Sequence, residues 1–317
     1  MNRTSRNSAW SPNERFTPRF ARNGRVFVQM PAYRDRELVP TLRDLFTKAA
    51  RPDLLRVVVF WQRSPGEKGL PASLRRRKNL EVIEVPAERS KGCNWARAIL
   101  QKEWRGEPFT LMIDSHHRFA RHWDQTTRRM YDSLRARGVR RPVVSGYLPP
   151  YRPETEPYSR RRMPLQMYPL AREDGVLFRL TSFPIPFWKR VSKPVPADYI
   201  SLHFLFTDGD FNRDVPFDPN FYFMGDEVAI SLRTYTTGFD LFHPHVVVGW
   251  HCYDRTSRVT HWDDHSSWME LHVESMRRLQ RLLTGQQRGR YGAGRHRSVH
   301  DYEESIGLRL VEAEMDL

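Results

Sequence analysis

Short apolar runs alternate with amphipathic stretches over the first 115 residues of the chain. The runs are rich in Val, Ile and Phe, which is typical of buried strands, and the spacing of Leu38, Leu42 and Leu45 is that of one helix face. Pro31 is expected to stop the first strand. The pattern predicts strands at 25–30, 56–61, 80–85 and 109–113 and helices at 37–50 and 95–102.

This alternation is typical of an α/β fold with a mostly parallel central sheet flanked by helices. We predict one such domain at 23–283, a flexible basic tail at 1–22 and a closing segment at 284–317. Ligands of such sheets bind at the carboxyl ends of the strands. The polar stretches 31–35 and 114–117 follow predicted strands directly, so they are the first candidates for a site.

The pattern is less regular in the second half of the chain. A stretch rich in Pro, Tyr and Arg at 146–163 predicts a long surface loop that faces a substrate. Apolar runs predict strands at 200–207 and 246–250. A helix is expected to open at Gly225-Asp226-Glu227 and to end before Gly238, and another is expected at 268–283.

Charge and composition narrow the classes of function. Hydrophobic residues make up 39% of the chain, which is enough for a packed core. A net charge of +15 attracts polyanions, either nucleic acid or a ligand that carries a diphosphate. Because the basic residues are spread along the chain without a known binding motif, nucleic acid is the weaker interpretation.

Two cysteines, Cys93 and Cys252, are too few for a disulfide framework and indicate a reducing compartment. The longest apolar run, at 57–61, is too short to cross a bilayer, and the N-terminus lacks the pattern of a signal peptide. We therefore expect a cytoplasmic protein without a membrane span. The sequence leaves the oligomeric state open.

The segment Asp114-Ser115-His116 suggests a metal site. In extended backbone Asp114 and His116 point to the same side, so a carboxylate and an imidazole can bind one cation. This ligand pair suits Mn²⁺ and also allows Mg²⁺. The alternative is that Asp114 only caps a turn and His116 lies at the surface.

Several histidines are candidates for a third ligand. His251 ends the predicted strand at 246–250, and its choice rests on the resemblance described below. A zinc site with His251 and Cys252 is the less favoured alternative, because the two cysteines lie far apart. The competing histidines are His243, His245, His261 and His265.

Asp226 and Glu227 place two acids at the start of a predicted helix. Acids at this position complement the helix dipole, which is a sufficient structural reason for them. One of them can also face the site and bind hydroxyl groups of a sugar or an acceptor.

Two segments after predicted strands can form a nucleotide pocket. Tyr33 can stack on a base, Arg34 or Lys91 can contact phosphate, and Gly92 lets the main chain approach the nucleotide. The residues proposed for this pocket are Pro31, Tyr33, Arg34, Asp35, Lys91, Gly92, Trp95, Arg97 and Ser115.

Four segments together resemble the glycosyltransferase (GlcNAc) family, in particular its cytosolic members that transfer N-acetylglucosamine to hydroxyproline of a polypeptide. They occur in the family's order and cover most of 25–307. The DSH segment and the FMGDE helix are specific in combination. The segments are VFVQMPAYRDREL with TLRDLFTKA, KGCNWARAILQKEWRGEPFTLMIDSHHRF, VPFDPNFYFMGDEVAISLRTYTTGFDLFHP and RYGAGRHRSVHDYEESIG.

The resemblance implies a GT-A fold with a smaller acceptor-side subregion, UDP-GlcNAc as donor, a divalent metal and a retaining reaction. It implies a hydroxyl acceptor on a protein, a peptide or a small molecule. Asp114 and His116 match the family's metal motif, and His251 matches its later histidine. Asp226 and Glu227 stand where the family usually has two glutamates, so UDP-glucose or UDP-GalNAc stay open as donors.

The sequence leaves open three alternatives to an active transferase. A basic nucleic-acid-binding protein would not need Asp114 or His116. A non-catalytic member would only bind sugar nucleotide or a partner protein. A metal hydrolase would need a second cluster of metal ligands, which the sequence does not show.

Overall fold

The computed structural model of the chain describes residues 24–157, 159–256 and 258–312, so the predicted tail at 1–22 lies outside the described residues. Strands and helices alternate at first and then give way to longer connections. The strands are β1 (Val26–Tyr33), β2 (Leu55–Arg63), β3 (Leu80–Pro86), β4 (Phe109–Ile113), β5 (His117–Phe119), β6 (Pro142–Ser145), β7 (Leu165–Glu173), β8 (Val176–Pro184), β9 (Val195–Pro196), β10 (Phe204–Asp208), β11 (Asp240–His243) and β12 (Gly249–His251).

Helices cover both faces of the central sheet and close its C-terminal side. The helices are α1 (Leu38–Lys48), α2 (Ala72–Arg75), α3 (Cys93–Lys102), α4 (Trp123–Ala136), α5 (Phe211–Asp214), α6 (Asp226–Thr236), α7 (His261–Asp264), α8 (Trp268–Leu283) and α9 (Val299–Ile306). In the part of the chain that is described, no helix is both long and apolar enough to cross a membrane.

The central sheet has eight strands in the order β3-β2-β1-β4-β10-β6-β11-β9. β1 to β4 are parallel neighbours, and β10 runs antiparallel between β4 and β6. β11 is parallel to β6, and β9 is antiparallel to β11. Only β9 and β10 oppose the common direction, so the prediction of a mostly parallel α/β sheet flanked by helices is confirmed.

Alternate residues of β1 explain why helices pack on both faces. Val28 and Met30 join the Leu side of α1 in one buried cluster. Phe27 points the other way and packs with Ala96 and Leu100 of α3. Strands that are buried on both faces read as continuous apolar runs, which is why the sequence pattern located β1, β2 and β4, whereas the edge strand β3 is only partly buried. Each buried Leu or Phe contributes about 1.5–3 kcal/mol.

Pro31 does not stop the first strand, which was the expectation from the sequence. β1 continues to Tyr33, and Pro31 stands opposite Phe60 of β2. β4 pairs with β1 only as far as Gln29, so at Pro31 the strand has a neighbour on one side only. A proline without a donor N–H is tolerated at such an edge.

The second half of the chain departs further from the predicted elements. β10 begins only at Phe204, and the segment predicted as a strand at 246–250 yields only β12, which pairs with β5 in a separate small sheet. β11 and the hairpin of β7 and β8 were not predicted. The hairpin turn is Asp174-Gly175, both with positive φ, and an Asp-Gly pair between two runs of strand-forming residues is the signal that would have located it.

The described part of the closing segment completes the C-terminal core. Tyr302 of α9 and Leu310 are buried in the same cluster as residues of β8 and α6. The main-chain N–H of Leu177 donates to the carbonyl of Leu310, which attaches this segment to the hairpin. Residues 313–317 lie outside the described residues.

Candidate active site

Three predicted metal ligands converge where β4, β5 and β12 meet. Asp114 follows β4, His116 precedes β5, and His251 ends β12 opposite His117 of β5. Asp114 Oδ2 lies 3.4 Å from His251 Nε2 and 3.7 Å from His116 Nε2. One ligand atom of each residue lies within 4.8 Å of the others. The predicted ligand set is therefore brought together by the fold.

The protonation and burial of these side chains fit a divalent cation. Both ring nitrogens of His251 are buried without a hydrogen-bond partner in the described part of the structure. Burial, with the nearby charge of His116, lowers the pKa of His251 well below its usual range, so the ring is neutral and one of its nitrogens keeps a free lone pair. Burial opposes ionisation of Asp114, but His116 and Arg97 outweigh it and lower the pKa of this carboxyl. One carboxylate and two imidazoles suit Mn²⁺.

The competing histidines have other partners. His243 is fully buried, and its two nitrogens bond to the carbonyl of Ser145 at 2.8 Å and to the N–H of Met167 at 3.2 Å. His261 and His265 stack on each other at 4.0 Å, outside the cluster. His245 is also outside it. The described residues hold no second group of three close ligands, which a two-metal hydrolase would need.

The zinc alternative is not supported by the position of Cys252. Its Sγ approaches the carbonyl of Asp254 at 3.6 Å, and Cys252 is not among the converging ligands. Cys252 lies on a separate, smaller cavity beside the metal cluster.

Asp35, predicted to bind the donor, lines the cleft and is bonded to His116 of the cluster. Its Oδ2 accepts hydrogen bonds from Ser115 Oγ and His116 Nδ1, each at 2.6 Å. Its Oδ1 accepts from the main-chain N–H of Glu37 at 2.9 Å. Burial opposes ionisation, but His116 and the hydrogen bonds outweigh it and lower the pKa of Asp35 to about 2. Both carboxylate oxygens are therefore bonded within the chain.

Asp226 opens α6 as predicted and is linked to Asp114 of the candidate ligand cluster through Arg97. Its Oδ2 accepts from Arg97 Nη1 at 3.0 Å and from Asn94 Nδ2 at 3.2 Å. Arg97 Nη2 lies 3.5 Å from Asp114 Oδ1. One buried guanidinium thus stands between the carboxylate of the cluster and that of α6. Burial raises the pKa of Asp226, although Arg97 counteracts this.

Glu227 is held by three donors on the other side of the same helix terminus. Its Oε1 accepts from Ser201 Oγ at 2.8 Å and from the N–H of Leu202 at 3.2 Å, and its Oε2 accepts from the hydroxyl of Tyr147. Burial and the charge of Asp226 raise its pKa to about 7. Both acids line the cleft.

The cluster and the two acids share one cleft of about 430 Å³. Gln62, Tyr147, Leu202, Tyr253 and His261 also line this cleft. The predicted pocket residues that line the cleft are Pro31, Tyr33, Asp35, Gly92, Arg97 and Ser115.

Three predicted pocket residues do not reach the cleft. Arg34 has φ 45° where the chain turns after β1, and it pairs with Glu67 and Asp264 at 2.9 and 2.8 Å. Trp95 packs edge-on against Phe60, with ring centroids 5.2 Å apart. Lys91 is exposed and lies outside the residues that line the cleft.

Two other predicted pocket residues line the cleft in unexpected roles. Gly92 has φ 102°, and a Cβ there would lie 2.8 Å from Tyr222, so this glycine makes room for a tyrosine ring. The ring of Tyr33 packs 5.0 Å from His261, and its hydroxyl donates to Asp264 at 2.6 Å. Stacking of Tyr33 on a base stays a prediction.

The sequence did not identify three cleft arginines. Among the described residues, Arg179 of β8 and Arg255 have no carboxylate within ion-pair distance, and Arg258 Nη1 is buried without a hydrogen bond, 4.0 Å from Asp35 Oδ2. Burial lowers the pKa of Arg255, and the charges of Arg258 and Arg179 lower it further. Such uncompensated positive charge favours an anionic ligand.

A sequence profile of the glycosyltransferase (GlcNAc) family matches residues 25–74 and 64–312, a span that includes the cluster and both acids. The chain belongs to this family. This membership confirms the family resemblance found in the sequence. Comparison with curated proteins finds no match.

Solved glycosyltransferases share the fold of this family member. GalNAc-T7 with UDP, GalNAc and Mn²⁺ matches 91% of this chain and 55% of its own, at 13% identity and a TM-score of 0.55. TarS 1–349 of S. aureus in complex with UDP-GlcNAc matches 84% of this chain and 68% of its own, at 14% identity and a TM-score of 0.54. The chain thus spans about half of the GalNAc-T7 structure. This likeness confirms the predicted GT-A fold.

Proposed function

We propose that this family member transfers a sugar from a UDP-sugar to a hydroxyl acceptor, with a divalent cation bound by Asp114, His116 and His251. The convergence of these three side chains within 4.8 Å, in a cleft of a glycosyltransferase-family chain, carries the proposal. A bound Mn²⁺ or Mg²⁺ would neutralise the charge that develops on the departing diphosphate. Arg255 and Arg179 supply further positive charge in the same cleft.

UDP-GlcNAc is the donor that we propose. The family's description and the complex of TarS with UDP-GlcNAc support it. GalNAc-T7 has UDP, GalNAc and Mn²⁺ in its structure, so UDP-GalNAc is the natural competitor in a test. Asp226, shorter than the glutamate usual in the family, is the residue that we expect to influence this choice.

The arrangement of the acids supports a retaining reaction without a protein nucleophile. Asp226 is bonded to Arg97, and Glu227 is bonded to three donors, so both carboxylates are engaged in hydrogen bonds within the chain. In our proposal they bind hydroxyl groups of the sugar or the acceptor and fix their orientation. The acceptor hydroxyl attacks the anomeric carbon from the side of the leaving group. Its proton passes to an oxygen of the departing phosphate.

We propose a protein or peptide as acceptor. Phe178, Arg179 and Leu180 of β8 line the cleft on the side of Glu227, and Tyr147 of the predicted substrate-facing stretch joins them. The hairpin also carries exposed apolar residues away from the cleft, Leu170 at 55% and Phe183 at 59%. We also propose a cytoplasmic location. The two free cysteines, Cys93 and Cys252, support it, because a reducing compartment keeps thiols unpaired.

The test of this proposal is UDP release from a panel of UDP-sugars, with Mn²⁺, with Mg²⁺ and with a chelator. We expect UDP-GlcNAc to be hydrolysed fastest with Mn²⁺ and to be inert with the chelator. The best donor is then used to screen Ser, Thr and hydroxyproline peptides. Metal-independent hydrolysis, or no UDP release from any donor, would refute the proposal.

A further inference from the structure

We propose that Asp35 is a positioning residue of the metal site, one that fixes the tautomer and the ring orientation of His116. The inference rests on the proposed function, because it assumes that a cation binds at the cluster. In this role Asp35 acts through His116, whereas the sequence placed Asp35 in the nucleotide pocket itself.

The two nitrogens of the His116 ring face different partners. Nδ1 lies 2.6 Å from Asp35 Oδ2, whereas Nε2 lies 3.7 Å from Asp114 Oδ2, on the side of the cluster. A carboxylate accepts hydrogen bonds but does not donate them, so Nδ1 carries the hydrogen atom. Nε2 is then left with its lone pair directed at the cation site. A carboxylate behind a ligating imidazole also makes that imidazole a stronger ligand.

Asp35 is itself held firmly enough to orient the ring. Its side chain is only 3% exposed. Ser115 Oγ donates to the same oxygen that faces His116, and the N–H of Glu37 donates to the other oxygen. These contacts fix the carboxylate between the end of β1 and the start of α1. A ligand whose partner is locked by hydrogen bonds keeps its productive geometry.

His251 offers an internal contrast. Among the described residues neither of its ring nitrogens has a hydrogen-bond partner, so no hydrogen bond orients it. Its ring is instead stacked on His203, with centroids 4.1 Å apart. The two imidazoles of the site are therefore positioned by different means, one by a charged hydrogen bond and the other by packing. Removing the charge of Asp35 should act through His116 alone.

The experiment measures Mn²⁺ affinity in the full chain without donor or acceptor, from the electron paramagnetic resonance signal of free Mn²⁺. Asp35→Asn preserves the size of the side chain and removes its charge. We expect its Mn²⁺ dissociation constant to rise about 10- to 100-fold. Asp53→Asn is the matched control, since Asp53 is exposed and pairs with Arg51 at 2.7 Å, outside the cleft. Its affinity should stay within about twofold of the original.

A double-mutant cycle separates positioning from general damage. In a His116→Ala background, Asp35→Asn should change Mn²⁺ affinity by less than about twofold, because the partner through which it acts is gone. An equal loss in both backgrounds would show a merely structural role and overturn the inference. If Asp35→Asn fails to fold, Ser115→Ala replaces it in the same cycle, since it removes one anchor of Asp35 and retains the charge.

The same measurements distinguish failure of this inference from failure of the proposed function. If the unmodified chain binds no Mn²⁺, the metal site and the inference both fail. If the unmodified chain binds Mn²⁺ and Asp35→Asn binds it equally well, only the role of Asp35 is refuted.

Discussion

The strands β1 to β4 and the strands β6 to β12 meet in one cleft but are built differently. β1 to β4 are parallel neighbours joined through helices, and all five residues of β4 are buried. β6 to β12 include short strands, reversed strands and a hairpin that leaves apolar side chains exposed. We refer to them as the N-terminal and C-terminal strand groups.

Each group supplies a different part of the site. Asp114 and His116 follow the last strand of the N-terminal group, whereas His251 and Arg179 come from the C-terminal group. Of the two α6 acids, Asp226 is linked to Asp114 through Arg97, whereas Glu227 bonds elsewhere. The site therefore exists only where the two groups join. The N-terminal group presents ligands on a rigid sheet edge, and the C-terminal group adds the residues that close the cation site and line the remaining cleft.

The largest expected effect tests whether both groups are needed for one metal site. Asp114→Asn and His251→Gln, one from each group, should each lower transfer on the order of 10³-fold, since a bound cation stabilises the transition state by several kcal/mol. Transfer and Mn²⁺ binding are measured together. The control is His300→Gln, which changes an exposed histidine that pairs only with Glu304. If either variant retains turnover, the strand group that supplies the changed residue is not needed for the metal site.

The second effect concerns the stability of the C-terminal group. Burial lowers the pKa of His243 from 6.5 to about 4. The unfolded chain therefore binds the proton first as the pH falls, and stability is lost from about pH 6.5 down to about pH 4. A shift of this size corresponds to about 3 kcal/mol.

Urea unfolding of the metal-free chain at several pH values checks this prediction. His117, His203 and His251 also have lowered pKa values, so only a comparison isolates His243. His243→Gln should be less stable than the original chain at pH 7, and the difference should shrink towards pH 4. A difference that does not depend on pH would contradict the prediction.

A third effect compares two glycines with positive φ, one near each group. Gly225 opens α6 at φ 81°, and a Cβ there would lie 2.6 Å from Leu279. Gly66 has φ 85°, but a Cβ there would meet nothing within 4 Å. Both Ala variants carry backbone strain, and only Gly225→Ala adds a clash in the core, so it should cost about 2 kcal/mol more. Equal urea unfolding midpoints for the two Ala variants would contradict this prediction. They would show that the α6 terminus shifts enough to accommodate the extra methyl group.

The smallest effect tests the positive charge that the C-terminal group adds to the cleft. Arg179→Met or Arg255→Met should raise the KM for the UDP-sugar roughly 10-fold, by removing a cleft charge that in our proposal faces the diphosphate. Arg75→Met is the control, because Arg75 is exposed outside the cleft. The effect should weaken at high salt. An effect on the acceptor KM alone would assign these arginines to the acceptor.

The sequence by itself determined β1 to β4, α1, α3 and the opening of α6. These elements are set by local periodicity, by apolar runs in the strands and by a helix start that follows a glycine. It also identified Asp114, His116 and His251, although His251 needed the family resemblance. It did not show the hairpin, because β7 and β8 are partly exposed and β7 contains Pro169, so their apolar pattern is broken.

Only the tertiary structure decided which neighbours each chemical group has. Asp35 and His116 are 81 residues apart, and Arg97 and Asp226 are 129 apart, so no local pattern could reveal that they bond. The same holds for Gly92, whose neighbour is Tyr222. Local sequence specifies where a strand or helix forms, because the backbone responds to nearby residues. The charge and hydrogen-bond partners of a buried group depend on which distant segments pack against it.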